Sequence, residues 1–207
     1  MDLLAISPPG HFPAEPEWID RLLDEGLCRY HLRKPGWTQT ELHRFVAQLP
    51  VHTRARVVLH QHHSLVEELG LGGWHFPDHP GASRRLRQSR AAGVPAVRLS
   101  RSLHQLRALF ARMEHCAYAF LSPVFPSISK PGHVPPWTDR ALQEALREAH
   151  AAQSAKVYAL GGIQAENAAR CRELGFDGLV LHGGLWEQAD PLAALVRVRV
   201  RVREAVA

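Results

Sequence analysis

The 207-residue chain has only three cysteines, Cys28, Cys116 and Cys171, far apart, odd in number and without CxxC spacing. That scarcity argues against a disulfide framework and predicts reduced, buried thiols in a cytoplasmic protein. No apolar run reaches the ~18 residues that would span a bilayer, and "MDLLAISPPG" lacks the basic segment and long apolar core of a signal peptide. A soluble, intracellular protein with no membrane partner is expected. Blocks of one charge sign and low-complexity stretches are also missing, so no tail is expected. The net charge of +5 is spread over segments such as "SRRLRQSR" and "VRVRVRVRE". Without an RNA or DNA motif these arginines read as solvated helix faces, and no nucleic-acid partner is expected.

What the chain does have is a beat. Short apolar runs recur at 3–6, 27–32, 56–60, 72–76, 95–100, 118–122, 156–162 and 178–183. Each suits a buried parallel strand better than a helix. Helix patterns with clear start signals lie between them. Pro16 opens "EWIDRLLDEG", Thr38 and Glu41 form a capping box, and Ser102 precedes "LHQLRALFARMEH". Thr138 precedes "DRALQEALREAHAA", "QAENAARCREL" stops at Gly175, and Asp190-Pro191 launches the last helix. The weakest helix patterns are "HSLVEEL" and "ASRRLRQSRAAG". Eight strands alternating with about eight helices predict a (β/α)8 TIM barrel, an α/β fold, as one domain over 1–207. The alternative is a doubly wound open sheet. It would want a glycine-rich phosphate loop after the first strand, where this chain has "SPPGHFP".

In such a barrel the active site forms where the strands end. Strand 2 delivers His31, Arg33 and Lys34; strand 3 ends in His60 and Gln61, with His62 and His63 beyond; strand 4 ends at His75. Strand 5 yields Ser100, Arg101 and then His104, strand 6 ends at Ser122, and strand 8 reaches His182. With 14 histidines several must be structural, yet four strands reach one at the same end. That points to imidazoles able to move protons near neutral pH. His60, Gln61, His62 and His63 could in principle hold a metal, but neighbours on a strand face opposite ways, so no more than two could share one ion, and no carboxylate joins them; no metal is expected there.

The glycine pairs carry a more specific signal. "ALGGIQAEN" sets Gly161 and Gly162 between a strand and a helix start, and "LHGGLW" repeats the arrangement with Gly183 and Gly184. Bare amides at such positions receive phosphate; a tight turn needing positive φ would explain one pair alone. The loop "SPVFPSISKPGH" is stiffened by Pro123, Pro126 and Pro131, and presents Ser122, Ser127, Ser129 and Lys130 to a second anionic group. His133 and "VPPW" read as its outer wall or a mobile lid, with no chemistry assigned.

Together these motifs resemble the thiamine-phosphate synthase and TenI-like (thiazole tautomerase) superfamily. "SPVFPSISK" is similar to that family's Gly-Pro-Ile-Phe/Tyr-Pro-Thr-x-Thr-Lys segment, and "ALGGIQAENAARCRELGFDGLVL" to its Gly-Gly-Ile phosphate motif, helix and final strand. "SRSLHQL" matches its Ser-x-His-Ser stretch, "HLRKP" is close to Gln-Leu-Arg-x-Lys, and "VVLHQHHSLVEELGLGGWHF" follows its strand 3 to strand 4 unit. The resemblance implies a TIM barrel, a thiazole phosphate or related ligand, and a role in thiamine biosynthesis or salvage.

The departures bear on mechanism. The family's synthases hold Mg²⁺ and a pyrimidine pyrophosphate with an Asn-Asp pair after strand 3 and an aspartate after strand 4. Here His60 and Gln61 align with the pair and Pro80 with the aspartate, Asp78 being only a neighbour. His31 replaces the usual glutamine and Pro35 the second base, and Pro123 stands where the tautomerases carry a histidine. The expectation is therefore a small phosphorylated heterocycle as ligand, its phosphate on Gly161, Gly162, Gly183 and Gly184. Its other end is held by Arg33, Ser122, Ser127, Ser129 and Lys130. His104, His60 and His31 are the proton donors or acceptors of a metal-independent, tautomerase-like transfer. No cofactor is expected, and Mg²⁺ only for the synthase alternative; a non-catalytic thiazole-phosphate binder is the third reading, and a homodimer is left open.

Overall fold

Eight short strands pair in sequence order, each parallel to the next, and the last returns to the first to close a barrel. In the computed structural model residues 1–111, 113–126, 135–152 and 155–204 are described. The strands are β1 (Asp2–Ile6), β2 (Arg29–Leu32), β3 (Val57–Leu59), β4 (Gly73–Phe76), β5 (Leu99–Leu103), β6 (Tyr118–Leu121), β7 (Lys156–Leu160) and β8 (Gly178–Leu181). The helices are α1 (Glu15–Asp24), α2 (Gln39–Ala47), α3 (Val51–Arg54), α4 (Leu65–Glu68), α5 (Ala82–Ala91), α6 (Ala108–Ala111), α7 (Asp139–Ala151), α8 (Ala165–Leu174), α9 (Gly183–Trp186) and α10 (Pro191–Glu204). The closed sheet is the expected (β/α)8 barrel, and an open sheet is excluded because β1 pairs with both β2 and β8. No helix among the described residues is long and apolar enough to cross a membrane.

Local chemistry sets the helix starts. The Thr38 hydroxyl accepts from the Glu41 amide while Glu41 accepts from the Thr38 amide, completing the expected box on α2. Thr138 caps α7, and Asp190 accepts from the amides of Leu192 and Ala193 to start α10. In α10 the Val-Arg alternation has a strand's period, but the chain coils. Leu195, Val198 and Val202 fall on one buried face, and Arg199 reaches back to Glu25.

The largest shift of a strand boundary from expectation is at strand 5. Strand 5, expected over 95–100, begins only at Leu99, because Pro95 opens a 3-10 turn over Ala96–Arg98. The following "RSL" belongs to the strand, so α6 is far shorter than the predicted helix after Ser102. Ser100 and Ser102 then face the barrel interior, while Arg101 points outward and donates to Ser83 on α5. Arg101 thus leaves the set of strand-end candidates. Among the cysteines Cys116 and Cys171 are buried as expected, but Cys28 is exposed.

The same alternation divides the core. Residues facing outward form the large apolar layer between sheet and helices. Residues facing inward split by sector: Leu4, Ile6, Tyr118, Phe120, Tyr158 and Val180 make an apolar and aromatic half. His31, His75 and Ser100 make a buried polar half opposite.

Lys34 was expected at the site; it is instead fully buried beside it. Its ammonium donates to Glu15 Oε2 (2.5 Å) and to the carbonyls of Pro8 (2.9 Å) and Gly10 (2.6 Å), and Glu15 also accepts from the Tyr30 hydroxyl (2.8 Å). This pins the β1–α1 loop to the end of β2. Burial, the largest influence, raises the Glu15 carboxyl and lowers the Lys34 ammonium, and their mutual ion pair opposes both shifts. Replacing one partner leaves a buried charge uncompensated. Lys34→Met is expected to lose about 3–5 kcal/mol in urea unfolding, and adding Glu15→Gln to recover part of that loss. Additive single-variant losses would refute the coupling.

Candidate active site

The C-terminal ends of the strands surround a cavity of about 360 Å³. Its wall includes Arg33 after β2, His60 after β3, Asp78 after β4, Ser102 and His104 at the end of β5, and Ser122 after β6. Gly161 and Gly162 after β7 and Gly183 and Gly184 after β8 complete it, with His182 between. Most of the residues expected from sequence are therefore brought to one space. Ser127, Ser129, Lys130 and His133 lie outside the described residues.

The two glycine corners touch. A methyl on Gly184 would stand 2.1 Å from the Ile163 carbonyl oxygen, so only glycine permits this approach of β8's exit to β7's. The pairs answer different demands, however. Gly161 and Gly162 have φ of 97° and 66°, and a methyl on Gly162 would meet the Pro126 carbonyl at 2.3 Å. Gly183 and Gly184 are helical, opening α9, and are small for reasons of space rather than turn geometry. As first-turn residues their N–H groups have no carbonyl partner within the helix. Asn167 braces the first corner, its amide donating to the Gly162 carbonyl (2.8 Å) and its Oδ1 accepting from the Gln164 amide (2.9 Å). The proline-rich loop leans on the same corner: Val124 donates to the Leu160 carbonyl (2.9 Å) and Phe125 to that of Gly161 (3.1 Å).

On the opposite wall, His104 is exposed and tied to Asp78. Its backbone N–H donates to Asp78 Oδ2 (3.0 Å), and its Nδ1 lies 3.2 Å from the same oxygen. A carboxylate there holds a proton on Nδ1 and leaves Nε2 as the basic nitrogen. Among the described residues lining the cavity Asp78 carries the one carboxylate. Mg²⁺ takes several oxygens in octahedral geometry. The wall of imidazoles, hydroxyls and one engaged carboxylate does not fit it.

His31, expected as a proton carrier, does not reach the cavity. It is fully buried, with Nδ1 3.0 Å from His60 Nε2 and Nε2 2.9 Å from the Tyr118 hydroxyl. It can act on a ligand only through His60, as a positioning residue. His75, not among the expected site residues, stacks on His60 with centroids 4.1 Å apart and bonds Ser100 Oγ (2.9 Å) and Ser102 Oγ (2.8 Å). Its place at the end of strand 4 was the available signal. Of the run 60–63 only His60 faces inward. Gln61 donates to the Lys34 carbonyl (2.6 Å), and His62 and His63 bond the carbonyls of Trp37 and His75.

Burial, with Arg33 and His63 nearby, lowers the His60 imidazole to about 3, and burial lowers His63 to about 4. His31 and His75 are also held well below the ordinary value by burial and then by neighbouring imidazoles. The unfolded chain takes up these protons near pH 6.5, while the folded chain refuses them until far lower. Their contribution is fully present above about 6.5 and is lost as pH falls below it. Going from about pH 7.5 to about pH 5.5 is expected to cost ~1.4 kcal/mol for each such histidine in urea titrations. A stability profile flat across that window would show that these imidazoles titrate alike in the folded and the unfolded chain.

Residues 3–185 match the family model described as thiamine monophosphate synthase. A thiamine-phosphate synthase of Nitrosococcus oceani is 30% identical over 146 residues, 70% of this chain and 64% of that protein, so the match spans under two thirds of the relative's length. The thiamine phosphate pyrophosphorylase structure from Bacteroides thetaiotaomicron superposes with a TM-score of 0.76 at 28% identity, covering 98% of each chain. That from Pyrococcus furiosus gives 0.79 at 18% identity, covering 100% of this chain and 97% of its own, a likeness of fold. With a family match running through nearly all of the barrel, the chain belongs to the thiamine monophosphate synthase family.

Proposed function

We propose that the chain is an enzyme of thiamine biosynthesis that joins a pyrimidine pyrophosphate to a thiazole phosphate, with pyrophosphate leaving. The observation that carries the reading is the contact of the two glycine corners, where bare backbone from β7 and β8 meets at 2.1 Å from a virtual methyl. A phosphate dianion suits such a place because its oxygens accept several N–H bonds where no side chain intrudes. The thiazole phosphate is assigned to Gly161, Gly162, Gly183 and Gly184. Arg33 and Ser122 across the cavity take the second substrate, to which Ser127, Ser129 and Lys130 are assigned on the sequence alone. The relatives' names support joining over the tautomerase-like transfer first expected.

Since Asp78 is engaged by His104, the charge of the pyrophosphate falls to Arg33 and Lys130 in this reading, and no step is routed through Mg²⁺. In the joining reaction the thiazole nitrogen takes the carbon that pyrophosphate leaves. His104, held by its carboxylate partner, is assigned as the proton donor to the departing pyrophosphate, while His60 offers a neutral imidazole to the ligand. That His104–Asp78 pair and the misfit of Mg²⁺ favour a second reading, metal-independent proton transfer on a thiazole carboxylate phosphate.

Incubating the protein with both substrates, with and without Mg²⁺, is expected to yield thiamine phosphate. Isomerised thiazole carboxylate phosphate without coupling would install the second reading, and an unchanged mixture would leave a binding protein. His104→Ala is expected to lower kcat by about 100-fold with little change in KM. Equal loss in both would make it a ligand contact. Gly183→Ala places its methyl 3.1 Å from the movable Glu187 carboxylate, so it should fold. It is expected to weaken thiazole-phosphate binding about tenfold; an unaltered Kd would remove the second corner from the site.

A further inference from the structure

Behind the cavity wall, three imidazoles from three adjacent strands converge. Each of His31 (β2), His60 (after β3) and His75 (β4) offers one ring nitrogen, and these nitrogens all lie within 4.8 Å of one another. We propose that His31, His60 and His75 form a binding site for a borderline-soft divalent transition metal such as Zn²⁺, distinct from the oxygen-held Mg²⁺ of the family.

Four observations support it. First, spacing: nitrogens on a tetrahedral ion at 2.0–2.1 Å lie about 3.3 Å apart. His31 Nδ1 and His60 Nε2 are 3.0 Å apart, so the first edge needs only a slight opening. Second, the donors are all nitrogen, the set that selects Zn²⁺, Cu²⁺ or Ni²⁺ over Mg²⁺. Third, two of the three rings are already held by outer partners. His31 Nε2 bonds the Tyr118 hydroxyl (2.9 Å), and His75 is held between the hydroxyls of Ser100 and Ser102. Such outer partners orient metal-binding imidazoles, and one serine hydroxyl can rotate away to release a nitrogen. Fourth, there is an entry path, because His60 and Ser102 line the cavity.

Burial keeps the three imidazoles neutral, the form that metals bind, so no proton need be expelled at neutral pH. Against the ion stand Arg29 beside His31 and Arg33 beside His60. A hydroxide or an anionic ligand in the cavity would offset that repulsion, as open three-histidine sites allow.

The test uses untagged protein, since a polyhistidine tag would bind the same ions. After chelation and dialysis, Zn²⁺ is titrated calorimetrically and Co²⁺ by its visible ligand-field absorption. One ion per chain and the spectrum of a low-coordinate nitrogen site are expected. His60→Asn should weaken binding by more than about 100-fold, and Tyr118→Phe, which keeps all three ligands, by about tenfold. His52→Gln, in the exposed Asp20–Asp24–His52 group, should change nothing. Absence of saturable uptake by the folded chain would overturn the proposal. So would wild-type affinity in His60→Asn, or loss of binding in His52→Gln. Should His60→Asn not fold, unchanged affinity in Tyr118→Phe overturns it instead.

Discussion

Closure of the barrel is the constraint from which the site follows. Because β8 pairs with β1 and β7 with β8, the exits of β7 and β8 have to run side by side at one rim. There is no room at that rim for a side chain between them: the Gly184 backbone lies against the Ile163 carbonyl, and the Gly162 backbone against Pro126. Two segments that are distant along the sequence become one surface of bare peptide. A surface of that kind offers N–H groups without the steric cost of Cβ atoms, which is the physical basis for assigning a phosphate to it.

The interior of the barrel is unequal, and that inequality shapes the chemistry. Strands β6, β7, β8 and β1 turn aromatic and aliphatic side chains inward, so their half of the barrel is apolar and buried. Strands β2 to β5 turn histidines and serines inward, where they bond one another and the Tyr118 hydroxyl from β6: His31 to His60 and Tyr118, His75 to Ser100 and Ser102. Buried imidazoles so placed stay neutral, because burial disfavours the charged ring. They serve as hydrogen-bond partners or metal ligands rather than as stored positive charge. His104 is different in kind, exposed at the rim and partnered by a carboxylate. It is the imidazole in this cavity best arranged for acid–base work.

Period and punctuation made much of the architecture legible before any coordinates. Eight apolar runs, the Thr38–Glu41 box, the Asp190-Pro191 start and the Gly175 stop all correspond to elements that formed. These signals are local, carried by hydrogen bonds and burial within a few residues, so sequence suffices to read them. The alternating inward and outward faces of β5 were not legible, because Pro95 delays the strand and shifts which residues count as its end.

Sequence alone therefore determined the barrel, the rim at which a site must lie, and the glycine corners and histidines available to it. Only the tertiary structure decided which polar residues stay at the cavity. Lys34 is captured by Glu15, His31 is buried behind His60, Arg101 is turned toward α5, and Asp78 is drawn to His104. Each of those outcomes depends on a partner between about 15 and 30 residues away, brought near by strand register and loop path. A side chain's availability is set by such partners, and local pattern carries no record of them.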